Sequence, residues 1–199
     1  MANVSSSSRS RWAIEVISPD KSGIDFYLKQ YKPFRLLSLQ ESPSAFSSTY
    51  EREAAFSDND WIQRVTNPIA TTFVAVDQDD GSVLSSATLA GPMPVPDDPA
   101  LADKTGGLPP GSLHWQLVAV YTRPEARRTG LARDVLRAVW EWAAQKSVCQ
   151  GSSCIVTADV MPDNQGAKAL YEGFGFSEAG DIDGYIRMVR FVDKELGLS

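Results

Sequence analysis

Leu-Val-Ala-Val-Tyr at 117–121, Thr-Arg-Pro-Glu-Ala at 122–126 and Arg-Arg-Thr-Gly-Leu-Ala at 127–132 form the stretch from which the fold is read. The apolar run 117–121 is short and rich in β-branched residues, which suits a buried strand. Pro124 ends it. From Gly130 an apolar period of 3.6 begins, with Leu131, Val135, Leu136, Val139 and Trp140 on one face of a helix. The helix therefore opens at an arginine–glycine corner. A helix N-terminus leaves backbone N–H groups unpaired and carries a partial positive charge. Gly130 and the small Ala132 allow a ligand to approach that backbone, so the corner is a seat for a phosphate or pyrophosphate.

Working outward, Trp12–Ile17 alternates as a strand, and residues 18–23 are turn chemistry. Ile24 to about Leu39 reads as a helix burying Phe26, Leu28, Tyr31, Phe34, Leu37 and Leu39, kinked or restarted at Pro33. Ala45 to Phe56 reads as a second helix, and Asp58 or Asp60 as the cap of a third through Trp61, Ile62 and Val65. Thr71–Val76 and Val83–Leu89 are strands joined by the hairpin signal Asp79-Asp80-Gly81. Gly91 to Gly111 is rich in Pro, Gly and Asp and reads as a long surface loop. The helix opened at Gly130 runs to about Lys146. Ile155–Val160 is another strand, and Asp163-Asn164 caps a helix to Glu172 that ends in Gly173-Phe174-Gly175-Phe176. Asp181–Gly184 is a turn and Tyr185–Val192 the last strand. This order predicts an α/β or α+β fold, a mixed sheet with helices on both faces.

Length and composition fit one soluble domain over residues 12–199 behind a serine-rich, flexible tail at 1–11. Serine with two arginines also fits an organelle-transit segment, but not a secretory signal. No apolar run approaches the ~18 residues that span a bilayer. A cytoplasmic protein without membrane contact is expected. The formal net charge of -6 argues against a nucleic-acid surface and favours a basic or amine-bearing partner. Cys149 and Cys154 are expected to be reduced thiols, and two ligands at this spacing make no zinc site.

Two motifs carry the chemistry. One is Arg127-x-x-Gly130-x-Ala132, after a strand and opening a helix. The other is Val160-x-x-x-Asn164-x-x-Ala167-x-x-Leu170-Tyr171-x-x-x-Gly175-Phe176. The pair, in this order, resembles the GCN5-related N-acetyltransferase (GNAT) superfamily, most clearly from His114 to Phe176. A looser similarity covers Leu36 to Trp61, through Leu-x-x-Leu-x-x-Ser-Pro-x-Ala-Phe and Thr-Tyr-x-x-Glu. The resemblance implies a mostly antiparallel sheet of about six to seven strands whose fourth and fifth strands splay apart. It implies acetyl-coenzyme A as co-substrate, no metal, and direct acetyl transfer to a primary amine of a small molecule or peptide. No Gly-Lys-Ser/Thr follows the loop and no Gly-x-Gly-x-x-Gly is present, which disfavours nucleotide hydrolases and dinucleotide enzymes.

Under that resemblance Arg127, Arg128, Thr129, Gly130, Leu131, Ala132 and Arg133 cradle the pyrophosphate, and the Val120, Tyr121 and Thr122 backbone pairs with the pantetheine amides. Asn164 and Lys168 contact the coenzyme arm and its phosphate. Tyr171 contacts it too and supplies the acid for the departing thiol, whose pKa is ~8.5. The base is open: His114, the only histidine, or a water chain held by Gln116, which stands where a base often sits. Strand alternation puts both on the face of Val118 and Val120. Tyr31, Phe46 and Tyr50 are candidate acceptor-pocket aromatics, with Glu41 and Glu51 suited to a cationic acceptor. Two other readings stand beside this one: a protein N-terminal or lysine acetyltransferase, and an acyl-coenzyme A-binding regulator that has lost turnover. Either a monomer or a homodimer is compatible with the sequence.

Overall fold

Among the described residues, seven strands lie in one sheet: β1 (Trp12–Val16), β2 (Ala70–Asp77), β3 (Val83–Pro94), β4 (Leu113–Thr122), β5 (Cys154–Val160), β6 (Ser177–Ile182) and β7 (Tyr185–Val192). The computed structural model describes residues 11–192. All but the last residue of the expected N-terminal tail lies outside them. The strand order is β1-β2-β3-β4-β5-β7-β6, antiparallel throughout except for parallel β4 and β5. The β4–β5 register begins at Leu113↔Cys154 and ends at Leu117↔Ala158, although both strands continue. Beyond Leu117 they splay, as the resemblance implies.

One face of the sheet carries α6 (Leu131–Cys149) and α7 (Gln165–Gly173) over a core that includes Phe73, Leu89, Trp115, Leu117, Leu136 and Met188. The opposite face carries α1 (Lys21–Phe26), α2 (Lys32–Glu41), α3 (Tyr50–Ala54) and α4 (Asp58–Val65), with Tyr27, Tyr31, Phe34, Trp61, Val74 and Tyr121 buried beneath. Between α1 and α2 lies a π-helical turn, Tyr27–Tyr31. Pro33 sits in the first turn of α2, where a missing N–H costs nothing, so the wider turn provides the restart expected there.

Three local expectations need correcting. The span 45–56 is not one helix: Pro43–Ala45 is a 3-10 turn, Phe46 is extended, and Thr49 caps the short α3 by accepting from Arg52 N at 3.3 Å. The cap of α4 is Ser57, with Asp60 completing a capping box, rather than Asp58 or Asp60 itself. The span 91–111 is not simply a loop. β3 runs to Pro94, and α5 (Pro99–Thr105) fits between Asp98, which caps it, and Gly106 at φ +66°. Asp, Pro and Gly are helix-end residues as well as loop residues. Leu101 of α5 is 1% exposed and packs with Ile155, Ala179 and Val189.

β6 carried no regular alternation, because Gly180 at φ +116° interrupts it between Glu178 and Asp181. In β4, Ala119 has φ +53° at a register shift against β3. This bulge reverses the face phase. Val120 packs on the α6 side, while Tyr121 joins His114 and Gln116 on the α1–α4 side, so the expected single face for His114, Gln116, Val118 and Val120 fails at its last member. No helix among the described residues is long and apolar enough to cross a membrane.

Candidate active site

Two residues of left-handed backbone, Arg128 (φ +63°) and Gly130 (φ +90°), shape the corner that opens α6. Thr129 Oγ1 donates to Ala126 O at 2.7 Å and tightens the turn. No side chain caps the helix, so its first amides are left for solvent or a ligand. A Cβ built on Gly130 meets nothing within 4 Å, which leaves the approach open. Leu131 is buried at 1% exposure and can offer only its backbone. Arg127, Arg128 and Arg133 are all exposed, and Arg127 turns back, with Nε donating to Thr122 O at 3.0 Å and its guanidinium over Tyr121. Past Leu117 the β4 edge, including Val120, Tyr121 and Thr122, has no β5 partner. Ser85 and Ser86 hold this bulged segment onto β3 by donating to the carbonyls of Tyr121 and Ala119.

Asn164 caps α7, its Oδ1 accepting from Ala167 N at 3.1 Å. Lys168 reaches Glu178 at 2.8 Å, so one hydrogen of its ammonium is already committed. Tyr171 lies in the α6-side core, 5% exposed, with its ring centroid 5.4 Å from that of Phe176. Burial raises its pKa, and its hydroxyl has no hydrogen-bond partner among the described residues. It is therefore a neutral donor at physiological pH.

At the root of the splay, Gln116 Nε2 donates to Asp159 Oδ2 at 3.2 Å, and Arg187 grips Asp159 through Nε at 2.8 Å and Nη2 at 3.0 Å. His114 is buried, with Nε2 2.8 Å from Thr157 Oγ1. Burial, then the nearby Arg187 charge, lowers its pKa to about 4, partly countered by Asp159. An imidazole that stays neutral down to that pH takes up a proton only weakly at neutral pH.

A cavity of about 560 Å³ lies between the α2–α4 face and β4, lined by Arg35, Phe46, Arg52, Glu53, Phe56, Arg64, Val118 and Ala119 among others. Its floor is an ion-pair network. Arg35 donates to Glu53 through Nε (3.1 Å) and Nη2 (2.9 Å), and Arg64 Nη1 adds a third bond at 2.8 Å. Burial alone would raise the Glu53 carboxyl, but the two arginines prevail and hold it at about 2. Of the predicted acceptor-pocket aromatics, Phe46 lines this cavity, stacked 4.5 Å from the Arg35 guanidinium. Tyr31 is a core residue at 2% exposure, and Tyr50 does not reach the cavity wall. Nearby, Tyr121 donates its hydroxyl to Glu41.

The Acetyltransferase (GNAT) family model matches residues 35–176, which span both the cavity floor and the corner. The chain belongs to the GNAT acetyltransferase family. No curated protein matches it in sequence. Solved structures share the fold at low identity. NAA60 of Arabidopsis thaliana, in complex with a bisubstrate analogue, is 14% identical over 92% of this chain and 99% of its own, with a TM-score of 0.60. The ribosomal-protein-S5-alanine acetyltransferase of Vibrio fischeri is 13% identical over 93% and 95%, with a TM-score of 0.63. AAC(6')-Iy, in complex with the bisubstrate analogue CoA-S-monomethyl-acetylneamine, is 17% identical over 87% and 95%, with a TM-score of 0.57.

Within this GNAT fold, the corner follows the unpaired end of β4 in the chain. Sequence reasoning missed Asp159, Arg187 and the Arg35–Glu53–Arg64 network. Their signal was a charged residue inside an otherwise apolar pattern: Asp159 between Ala158 and Val160, and Arg35 beside Phe34 and Leu36.

Proposed function

We propose that this GNAT protein transfers an acetyl group from acetyl-coenzyme A directly to a primary amine of a small molecule or peptide. The observation that carries the reading is the splayed β4 edge leading to an uncapped helix start with two positive-φ residues. An extended, amide-bearing arm ending in a pyrophosphate matches that combination. The bisubstrate complexes of NAA60 and AAC(6')-Iy support it.

In this reading the backbone from Arg128 to Ala132 holds the pyrophosphate, with Arg127, Arg128 and Arg133 adding charge. Val120, Tyr121 and Thr122 offer backbone groups to the arm, and Asn164 and Lys168 flank it. The amine nitrogen attacks the thioester carbonyl carbon, the C–S bond breaks, and the sulfur leaves with the bonding pair. Tyr171 is the proposed donor to that sulfur, its phenol being neutral and without a competing partner. The amine proton leaves through water held by Gln116 and the adjacent Asp159. His114 stands behind this pair, bonded to Thr157.

The test mixes the protein with acetyl-coenzyme A and a panel of amines and peptides, following free thiol and acetylated product. Equal amounts of the two are expected with at least one acceptor. Coenzyme A binding without thiol release on any amine would favour an acyl-coenzyme A-binding regulator instead.

A further inference from the structure

Beneath the acceptor-side helices, the cavity gathers three arginines and two carboxylates, Arg35, Arg52, Arg64, Glu53 and Asp60. Glu53 is committed through both oxygens and Asp60 through one. The Glu53 oxygens accept three bonds from Arg35 and Arg64, and Asp60 Oδ2 accepts from Ser57 N at 2.8 Å and Ser57 Oγ at 2.7 Å. The arginines are not so committed. Arg35 is 5% exposed, yet its Nη1 is buried without a hydrogen-bond partner. Arg52 has no ion-pair partner among the described residues, and Arg64 spends only Nη1 on Glu53. Buried guanidinium nitrogens are ordinarily paired, so an orphaned one on a residue that lines a cavity marks a position for an absent acceptor beside that cavity.

We propose that this cavity binds the carboxylate of the acetyl acceptor, so that the acceptor is an amino-acid-like amine: a primary amine carrying a carboxylate a few bonds away. The inference rests on the N-acetyltransferase reading and names the acceptor class for it. The geometry has two poles. Val118 and Ala119, the first β4 residues beyond the last β5 pair, form the wall nearest the splay, where the amine meets the acetyl group. Arg35, Arg52 and Arg64 form the other pole. Phe46, Phe56 and Val118 supply apolar surface for the acceptor's side chain. The volume lies within the ~300–1,000 Å³ usual for small-molecule sites. The chain's overall acidity suggested a basic partner, but a local excess of unspent guanidinium groups governs recognition at contact distance.

The experiment compares L-amino acids with their matched carboxamides, at equal free-amine concentration, by thiol release from acetyl-coenzyme A. The carboxylate member of each pair should win in kcat/KM by about tenfold or more, the scale of one charge-assisted contact. Arg52→Met removes an unpaired arginine, and Arg35→Lys removes Nη1 while keeping a cation opposite Glu53. Each should raise KM for the carboxylate member by about tenfold, with kcat changing less. Carboxamides used equally well or better, or a carboxylate preference that survives both substitutions, would overturn the proposal while leaving N-acetyltransfer intact. If no amine is turned over, the N-acetyltransferase reading falls first. The subsite is then decided by thermal shift of the coenzyme A-loaded protein with N-acetyl-amino acids against their amides. Stabilisation by the carboxylates alone, lost in Arg52→Met, supports it, and equal or absent stabilisation overturns it.

Discussion

Replacing Glu53 by Gln removes the only carboxylate among the described residues that holds Arg35. The Arg35 and Glu53 side chains are 6% and 1% exposed, so the guanidinium would remain buried without a counter-charge. Breaking such a pair from one side costs about 3–5 kcal/mol, and Gln keeps one acceptor oxygen, so about 3 kcal/mol is expected. In a domain of this size that lowers Tm by about 10 °C. Acid should close the gap. Burial works against the charged Glu53, but Arg35 and Arg64 outweigh it and bring the carboxyl from 4.5 to about 2. A carboxyl depressed in the folded state contributes its full stabilisation above pH 4.5, and that contribution disappears as the pH falls toward 2. The depression corresponds to about 3 kcal/mol, reduced to about 2 kcal/mol by solvent screening on the open side of the network. Arg64, on that side, is 39% exposed. Urea unfolding of both proteins at pH 7 and pH 3, followed by tryptophan fluorescence, measures this. Trp61, 0% exposed and stacked 5.1 Å from Arg64, reports from beside the network. A variant within about 1 kcal/mol of the wild type at pH 7, or a gap that does not shrink in acid, would refute the reasoning.

Tyr171→Phe should leave stability within about 1 kcal/mol, retain coenzyme A binding, and slow thiol release about 100-fold or more; unchanged turnover removes its role as acid. His114 is depressed from 6.5 to about 4, so its contribution to stability is complete above pH 6.5 and is lost on acidification toward pH 4. His114→Asn should flatten the unfolding free energy across that window, and an unaltered profile would place the titration elsewhere. Leu101→Ala should cost about 2–5 kcal/mol in chemical denaturation, as for other fully buried leucines. A cost under about 1 kcal/mol would return the segment to the status of a loose surface loop.

The strand–corner–helix stretch was legible because its signals are local: a β-branched run, Pro124, Gly130 and a 3.6 period. The same holds for Asn164 as a cap and for the hairpin at Asp79-Asp80-Gly81. What escaped depends on partners distant in sequence. The bulge at Ala119 exists only against β3, and it alone decides that Tyr121 faces the α1–α4 side. The Gln116–Asp159–Arg187 chain joins three strands, and Arg35 meets Glu53 across two helices. The residues ending α5 serve equally well in loops, so only the burial of Leu101 against β5, β6 and β7 distinguishes the two.

The most direct test of coenzyme binding at the arginine–glycine corner is the change in Tm with added coenzyme A, in the wild type and in Gly130→Ala. A ligand bound only by the folded state stabilises it by about 2.7 kcal/mol at 100 times its Kd, a rise of roughly 5–10 °C here. The alanine Cβ meets no atom of the chain within 4 Å but occupies the open approach at a φ of +90°. A clear rise in the wild type, much reduced in Gly130→Ala, is the predicted result. No rise in the wild type at saturating coenzyme A would contradict coenzyme binding at this corner.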